Sequence, residues 1–492
     1  MANGVFVPAV IYSTAKWWNR RSGTKPAMFV RMVTHLLVLA IALPWFFLGT
    51  FNLIARPTTS EYVLWFLLEP LALLFLAFLA IGGILRAQGW DRHCIVRVLL
   101  AGVFLTAFLI WLKWDPPQPT PRYSWNDIPD PPDAARAREV LMRISQQPPS
   151  NMFPRVVGES PVVADLRGRA LMATSAEILS NSVAIETAWN GYAEYRAVIA
   201  QLDTFSALPE LGRSFRGPML NYLELRKAAQ LISLYARMKA CQGDAGSGVS
   251  NLIQFYSVVR KALPHSSMLV SKMIWIACVG LCNGTASQIA QLPETKPETL
   301  QELADVFTPL RTEEATLKSA FIGEMCAFSE ALSTTPPTDI ISSEIWPDNR
   351  RLPRLAYFFM YNQNATLREY LAVMERMADY TSTLPGGDAN SESEITTFIE
   401  KYYQVKHLKN LLGHHLAIEG IPNFIEAARK GAKRKVQSDL LALYLHQRLG
   451  TPLALNDIYT GAPYLTDEKT GLPFSAGPDG TPGTEDDVTL AK

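Results

Sequence analysis

The chain has 492 residues, a formal net charge of +1 and 48% hydrophobic residues. The balanced charge excludes the basic excess of a protein that neutralises phosphate backbones, so no nucleic-acid partner is expected. The apolar content excludes wholesale disorder.

Three apolar runs open the chain, at 32–54, 62–85 and 95–112. A span needs roughly 20 apolar residues to cross about 30 Å of hydrocarbon. Each run is therefore expected to be a transmembrane helix. The first is too long for a secretory signal and lacks a small-residue cleavage pattern. Lys16, Arg20, Arg21, Lys25 and Arg31 precede it, and Arg86, Arg92 and Arg97 surround the loop before the third run. Basic loops stay on the cytoplasmic side. The expected protein sits in a bacterial inner membrane, with its N-terminus in the cytoplasm and residues 114–492 outside. Trp45, Trp65, Trp111 and Trp114 fall near the proposed outer ends, where indole rings prefer to lie.

Glu69-Pro70 lies inside the second run. A carboxylate at that depth is costly and marks either a bundle contact or a functional group. Lys113, at the end of the third run, is its candidate partner by snorkelling inward.

Residues 115–132 carry seven prolines in eighteen positions. Such a stretch predicts an extended, semi-rigid spacer, and segment 114–132 is the expected domain boundary.

Residues 133–450 read as helices. Periodic apolar positions predict segments at 217–241, 250–263, 268–282, 298–333, 366–382, 395–412, 423–430 and 434–449. Cys241-Gln-Gly243 and Cys282-Asn-Gly284 both look like glycine stops. Short connections imply antiparallel neighbours. The expected fold is mainly α: a three-helix anchor, then a stack of helical hairpins resembling an α-solenoid, then a loop-rich tail. No strict 34-residue repeat is present.

There are five cysteines. Cys94 is expected on the cytoplasmic side and reduced. The first and third of three successive antiparallel helices end on the same side of a layer, which makes Cys241 and Cys282 a candidate disulfide. His414 and His415 cluster with Glu419, four residues beyond His415 and on its helical face. That spacing can bind a metal or serve a hydrolytic site, but the pattern is not H-E-x-x-H, Gly413 weakens the helix, and solvated or capping histidines explain it better.

From residue 451 onward seven acids face two lysines. Hard cations such as calcium take several oxygen ligands from carboxylates and turn carbonyls. Asp479, Glu485, Asp486 and Asp487, punctuated by glycines, are the candidate ligands. Asp457-Ile-Tyr-Thr-Gly461-Ala-Pro463-Tyr464 and Gly477-Pro-Asp479-Gly480 carry a resemblance. They are similar to the C-terminus of the major pseudopilins of type II secretion systems. There a D-P-x-G-x-P-Y segment precedes a G-x-D-G…D loop that binds calcium. The likeness covers about forty residues of the 492. The prepilin leader is absent and three apolar runs replace the single pilin helix, so the chain is not a pilin. The helical region with this tail also resembles uncharacterised envelope proteins of planctomycete- and verrucomicrobia-like bacteria, a likeness that brings no activity.

The expected function is that of a membrane-anchored structural or interaction protein of the envelope. Its partners would be the lipid bilayer and other envelope proteins, with oligomerisation open and calcium ordering the tail. The alternatives are an envelope hydrolase using His414, His415 and Glu419, and an accessory subunit of a secretion or transport assembly working through Glu69.

Overall fold

The computed structural model describes residues 116–145, 160–213, 222–334, 361–382, 393–398 and 421–490, with Asp91, His93, Val96, Leu100, Glu400, Asn410 and His414 as single positions. The chain divides into two units. One comprises Met1–Pro116, Asn349–Asn362 and Leu408–Leu412, and the other the remainder from Pro117. In the first unit the backbone N–H of Asn362 donates to the Asn410 side chain at 2.8 Å, tying two of its segments together. The apolar runs at 32–54 and 62–85 lie outside the described residues, as do Glu69 and Lys113. Of the run at 95–112, Val96 and Leu100 are described; both are helical and about half exposed, at 53% and 51%.

The second unit is mainly helical. Its described helices are α1 (Ala134–Ser145), α2 (Pro161–Gly168), α3 (Ser175–Ser180), α4 (Ser182–Gly191), α5 (Ala193–Asp203), α6 (Tyr222–Cys241) and α7 (Ala245–Ala262). Next come α8 (Leu269–Gln291), α9 (Pro297–Val306), α10 (Thr312–Ala315), α11 (Lys318–Thr334), α12 (Gln363–Tyr380) and α13 (Ile421–Leu449). Helices α6, α7 and α8 pack on one another; α13 and α11 cover α8, and α12 lies on α11. Among the described residues α8 alone is long and apolar enough to cross a membrane. It is the core helix of this unit, with Trp275, Cys278, Val279, Cys282 and Ala286 buried by its neighbours. Stacked pairs, Trp189 on Tyr235 at 4.1 Å and Tyr256 on Phe307 at 4.2 Å, join successive layers. Each such pair contributes roughly 0.5–1.5 kcal/mol beyond its buried area.

The stop after α6 is where the sequence placed it. Gly243 takes a φ of +83°, and the Asp244 N–H donates back to the Lys239 carbonyl at 2.9 Å. The similar signal at Cys282-Asn-Gly284 does not stop α8, which continues to Gln291, two residues before Pro293. Residues 282–287, 289 and 290 are all buried. Burial of that length outweighs the ~1 kcal/mol that glycine costs inside a helix. The single helix expected at 298–333 is three helices, interrupted around Pro309. Conversely, the two expected at 423–430 and 434–449 are one. Gly431 is not a break: a Cβ there would stand 2.5 Å from the Ala315 carbonyl, so the missing side chain lets α13 approach α10.

The tail holds the strands: β1 (Leu465–Thr466), β2 (Pro473–Ser475) and β3 (Val488–Thr489), an antiparallel meander in that order. It is built from a repeat of ten residues. Asp457-Ile-Tyr-Thr-Gly461-Ala-Pro463 and Asp467-Glu-Lys-Thr-Gly471-Leu-Pro473 form the same turn. In each, the aspartate side chain accepts the N–H two residues on, at 3.0 and 2.8 Å. The glycine N–H returns to the aspartate carbonyl at 2.8 Å in both. Gly461 and Gly471 then take φ of +70° and +68°, which only glycine adopts without strain.

Candidate functional site

The proline-rich segment is not a free spacer. Residues 117–132 form a strap docked on the helical unit, bonded to it from Pro117 to Asp130. The Arg122 N–H donates to Glu375 on α12 at 2.7 Å. The Arg122 guanidinium and the Tyr123 hydroxyl donate to Asp379, at 2.8 and 2.7 Å. Arg368 reaches the Pro117 carbonyl at 3.2 Å. Ser124 and Asp127 then cap a single 3-10 turn, Trp125–Asp127, with reciprocal bonds. Burial and then Asp379 raise the Tyr123 pKa.

The other end of the strap is deeper. Ile128 is 4% exposed. Its carbonyl accepts from Arg213 at 2.6 Å. Asp130 pairs with Arg213 at 2.7 Å and also with Arg138. His265, whose pKa burial lowers, donates to the Pro129 carbonyl. Arg138 also donates to the Glu210 carbonyl at 2.9 Å. The strap thus leads into the start of α8.

That start lacks its own cap: Met268 makes no side-chain bond to the first turn. Two glutamates from elsewhere in the chain replace it. Glu210 accepts from the Ser267 and Met268 N–H groups at 3.1 and 3.3 Å, and from the Ser271 hydroxyl at 2.8 Å. Glu324 accepts the Leu269 N–H at 2.9 Å. Both carboxylates lie where the helix dipole favours negative charge, yet burial raises both pKa values. Tyr222 bonds Ser271, and burial raises its pKa too, with Glu210 adding to the shift. One residue further, Lys272 is fully buried and donates to the carbonyls of Leu263 and Glu313 at 2.6 and 3.2 Å. Burial pushes its pKa down to about 7. Gly323 of α11 presses on this turn so closely that a Cβ would stand 1.8 Å from the Ser267 carbonyl. Apart from the local Ser124–Asp127 cap, the polar groups named here fix one chain segment to another. Sequence reading missed all of them except the strap's composition, because Glu210 and Glu324 act on a helix more than fifty residues away.

The tail docks on α13 through Tyr464, whose hydroxyl donates to Asp439 at 3.0 Å, while Lys435 holds the same carboxylate at 2.6 Å. Asp457, 3% exposed, accepts from the Ser475 hydroxyl at 2.6 Å. Its neighbour is the loop expected to bind calcium. There Asp479 accepts the Thr481 N–H at 2.7 Å, Asp486 the Asp479 N–H at 3.1 Å, and Asp487 the Gly483 N–H at 2.9 Å. Asp479 and Asp486 share the Thr484 hydroxyl at 3.5 and 2.5 Å. Glu485 is exposed. One oxygen of Asp487 is buried without a hydrogen-bond donor, which suits a cation ligand. Among the described residues, however, no three acidic, histidine or cysteine side chains converge on one point. A calcium shell here would need turn carbonyls as well.

The remaining candidates separate. Cys241 ends α6, whereas Cys282 sits in the middle of the lengthened α8, and both are free thiols, so the expected disulfide is not formed. His414 meets Glu369 of α12 at 2.8 Å; His415 and Glu419 lie outside the described residues. No protein-family model matches the chain, and no curated protein or solved structure is similar to it.

Proposed function

We propose that this protein is a membrane-anchored scaffold of the bacterial envelope. The apolar runs at 32–54, 62–85 and 95–112 form its anchor, and the helical unit beyond Pro117 presents a surface to other envelope proteins outside the cytoplasm. The observation that carries the reading is the docked strap. A strap bonded at both ends, to α12 at one and to Arg138, Arg213 and His265 at the other, makes the chain from Pro117 onward part of the folded helical body and not a loose tether. Calcium binding at Asp479, Asp486 and Asp487 belongs to the proposal as a tail-ordering site. The orphaned Asp487 oxygen supports it, and Glu485 is the least engaged of the four acids. The experiment is a paired topology assay on the full chain expressed in a bacterium. The protein stays in the membrane after alkaline carbonate washing, and Met172→Cys, at a position 83% exposed, reacts with an impermeant maleimide on intact spheroplasts. Carbonate extraction, or labelling only after lysis, contradicts the proposal.

One observation favours a second reading, the envelope hydrolase. His414 paired with Glu369 has the arrangement in which a carboxylate orients a general base. Under that reading His414→Gln abolishes turnover of an ester or peptide substrate at unchanged melting temperature.

A further inference from the structure

Helix α13 carries five cations in seven positions: Arg429, Lys430, Lys433, Arg434 and Lys435. Their surroundings differ. Lys435 is neutralised by Asp439. Arg429 and Lys430 share the exposed Glu426, at 4.0 and 3.6 Å. Lys433 and Arg434 have no carboxylate partner among the described residues, and Arg434 is half-buried. Its guanidinium lies against α8 at Gly280, where a Cβ would stand 2.5 Å from Cζ. Its one hydrogen bond runs to the neutral side-chain carbonyl of Gln437. Withdrawal from water lowers its pKa, with no opposing charge among the described residues to restore it.

A cation taken from water without a counter-charge is costly, and the pairing that relieves the cost is an anion. Helical spacing sets what else faces it. Lys430 and Gln437, four residues before and three after, share the Arg434 face. The Gln437 carbonyl is occupied by Arg434, which leaves its amide N–H groups as donors. A planar fork, an ammonium and an amide form a donor set for an oxyanion; the guanidinium fork matches phosphate or carboxylate in two parallel bonds.

We propose that Arg434, with Gln437 and Lys430, forms a binding site for a phosphate-type oxyanion at the α8–α13 contact, with Gly280 making room for the guanidinium. The anion is either free phosphate or the headgroup of an anionic lipid.

The test uses the full chain in neutral detergent. Its melting temperature is followed against inorganic phosphate, and separately against a short-chain phosphatidylglycerol below its micellar concentration, with chloride holding ionic strength constant. Arg434→Met keeps the stem and removes the charge. Gly280→Ala displaces the flexible end of Arg434, not backbone. The wild type gains about 2–4 °C near tenfold saturation, and both variants lose that gain. Arg434→Met without ligand melts no lower than the wild type, because it removes an unpaired charge. A response to phosphate alone identifies the free ion, and a response to the lipid alone identifies the headgroup. Equal gains in wild type and Arg434→Met, or no gain with either ligand, overturn the site.

Discussion

A proline-rich strap and a glycine- and proline-rich tail flank the helices of the second unit, and they are ordered by different means. Beyond its own Ser124–Asp127 cap, the strap at 117–132 borrows its partners: Asp379, Glu375, Arg213 and His265 come from distant parts of the chain, and Arg138 from the helix that follows. The tail at 456–490 supplies its own. Asp457, Asp467 and Asp479 each close a turn on the N–H two residues ahead, and only then does Tyr464 fasten the result to α13. Two proline-bearing segments are therefore ordered differently. A segment with acids and glycines at turn spacing folds on itself. One with prolines and no such spacing is ordered only where something else receives it.

The sharpest way to break the comparison is at the strap's seat. Gly323→Ala drives a methyl into the Ser267 carbonyl and costs about 3 kcal/mol, the upper range for overpacking. Urea unfolding measures the loss, while the tail's own turns are untouched. Next is the tail. Asp457→Ala leaves Ser475 and the turn N–H without their buried acceptor and costs about 2 kcal/mol. Asp467→Ala, in the exposed copy of the same turn, costs much less, and equal losses would remove the distinction between buried and exposed copies.

Third, Asp130→Ala unpairs Arg138 and Arg213 at the strap's inner end. It costs about 1 kcal/mol after discounting for solvent and shows as faster amide exchange at 127–130.

Acid separates the start of α8 from the tail by sign. Burial raises the folded pKa of Glu210 above its unfolded value. Its stabilising contribution is therefore complete below the unfolded value, about 4.3, and is lost as pH rises through the folded pKa. The Asp486 pKa is lowered, by the Thr484 hydroxyl first. Its contribution is present above about 3.9 and is lost as pH falls through the folded value. Glu210→Gln should remove a gain seen on acidifying from neutrality, and Asp486→Asn a loss seen below about pH 4. His265, its pKa lowered by burial, works against the Glu210 gain, so the wild-type minus Glu210→Gln difference is the quantity to read. The smallest effect belongs to Arg122→Ala. That pair is 60% and 43% exposed; its loss costs under about 1 kcal/mol and vanishes in high salt.

Local signals were legible in the sequence and distant ones were not. The mainly helical class of the chain and the cap at Gly243 follow from periodicity and glycine. Gly284 and Gly431 misled because a glycine inside a helix looks the same as one at its end until its neighbour is known: burial carries the chain through the first, and Ala315 through the second. The meander was hidden by strands only two or three residues long, yet its ten-residue repeat, Asp-x-x-Thr-Gly-x-Pro, stood in the sequence and would have found it. Glu210, Glu324 and Lys272 carried no signal at all. A carboxylate that caps another helix reads as a surface acid, and a buried lysine reads as an ordinary one in an apolar segment.

Amide hydrogen exchange on the full chain tests the docked strap most directly. The N–H groups of Arg122, Ser124, Asn126, Asp127 and Ile128 all have acceptors. The account predicts that peptides covering 122–128 exchange far more slowly than an unstructured chain. It also predicts that Glu375→Gln with Asp379→Asn releases Arg122 while Ile128 stays protected. Exchange across 122–128 at the unstructured rate in the wild type would contradict it, returning these residues to a loose tether and leaving the scaffold proposal without its support.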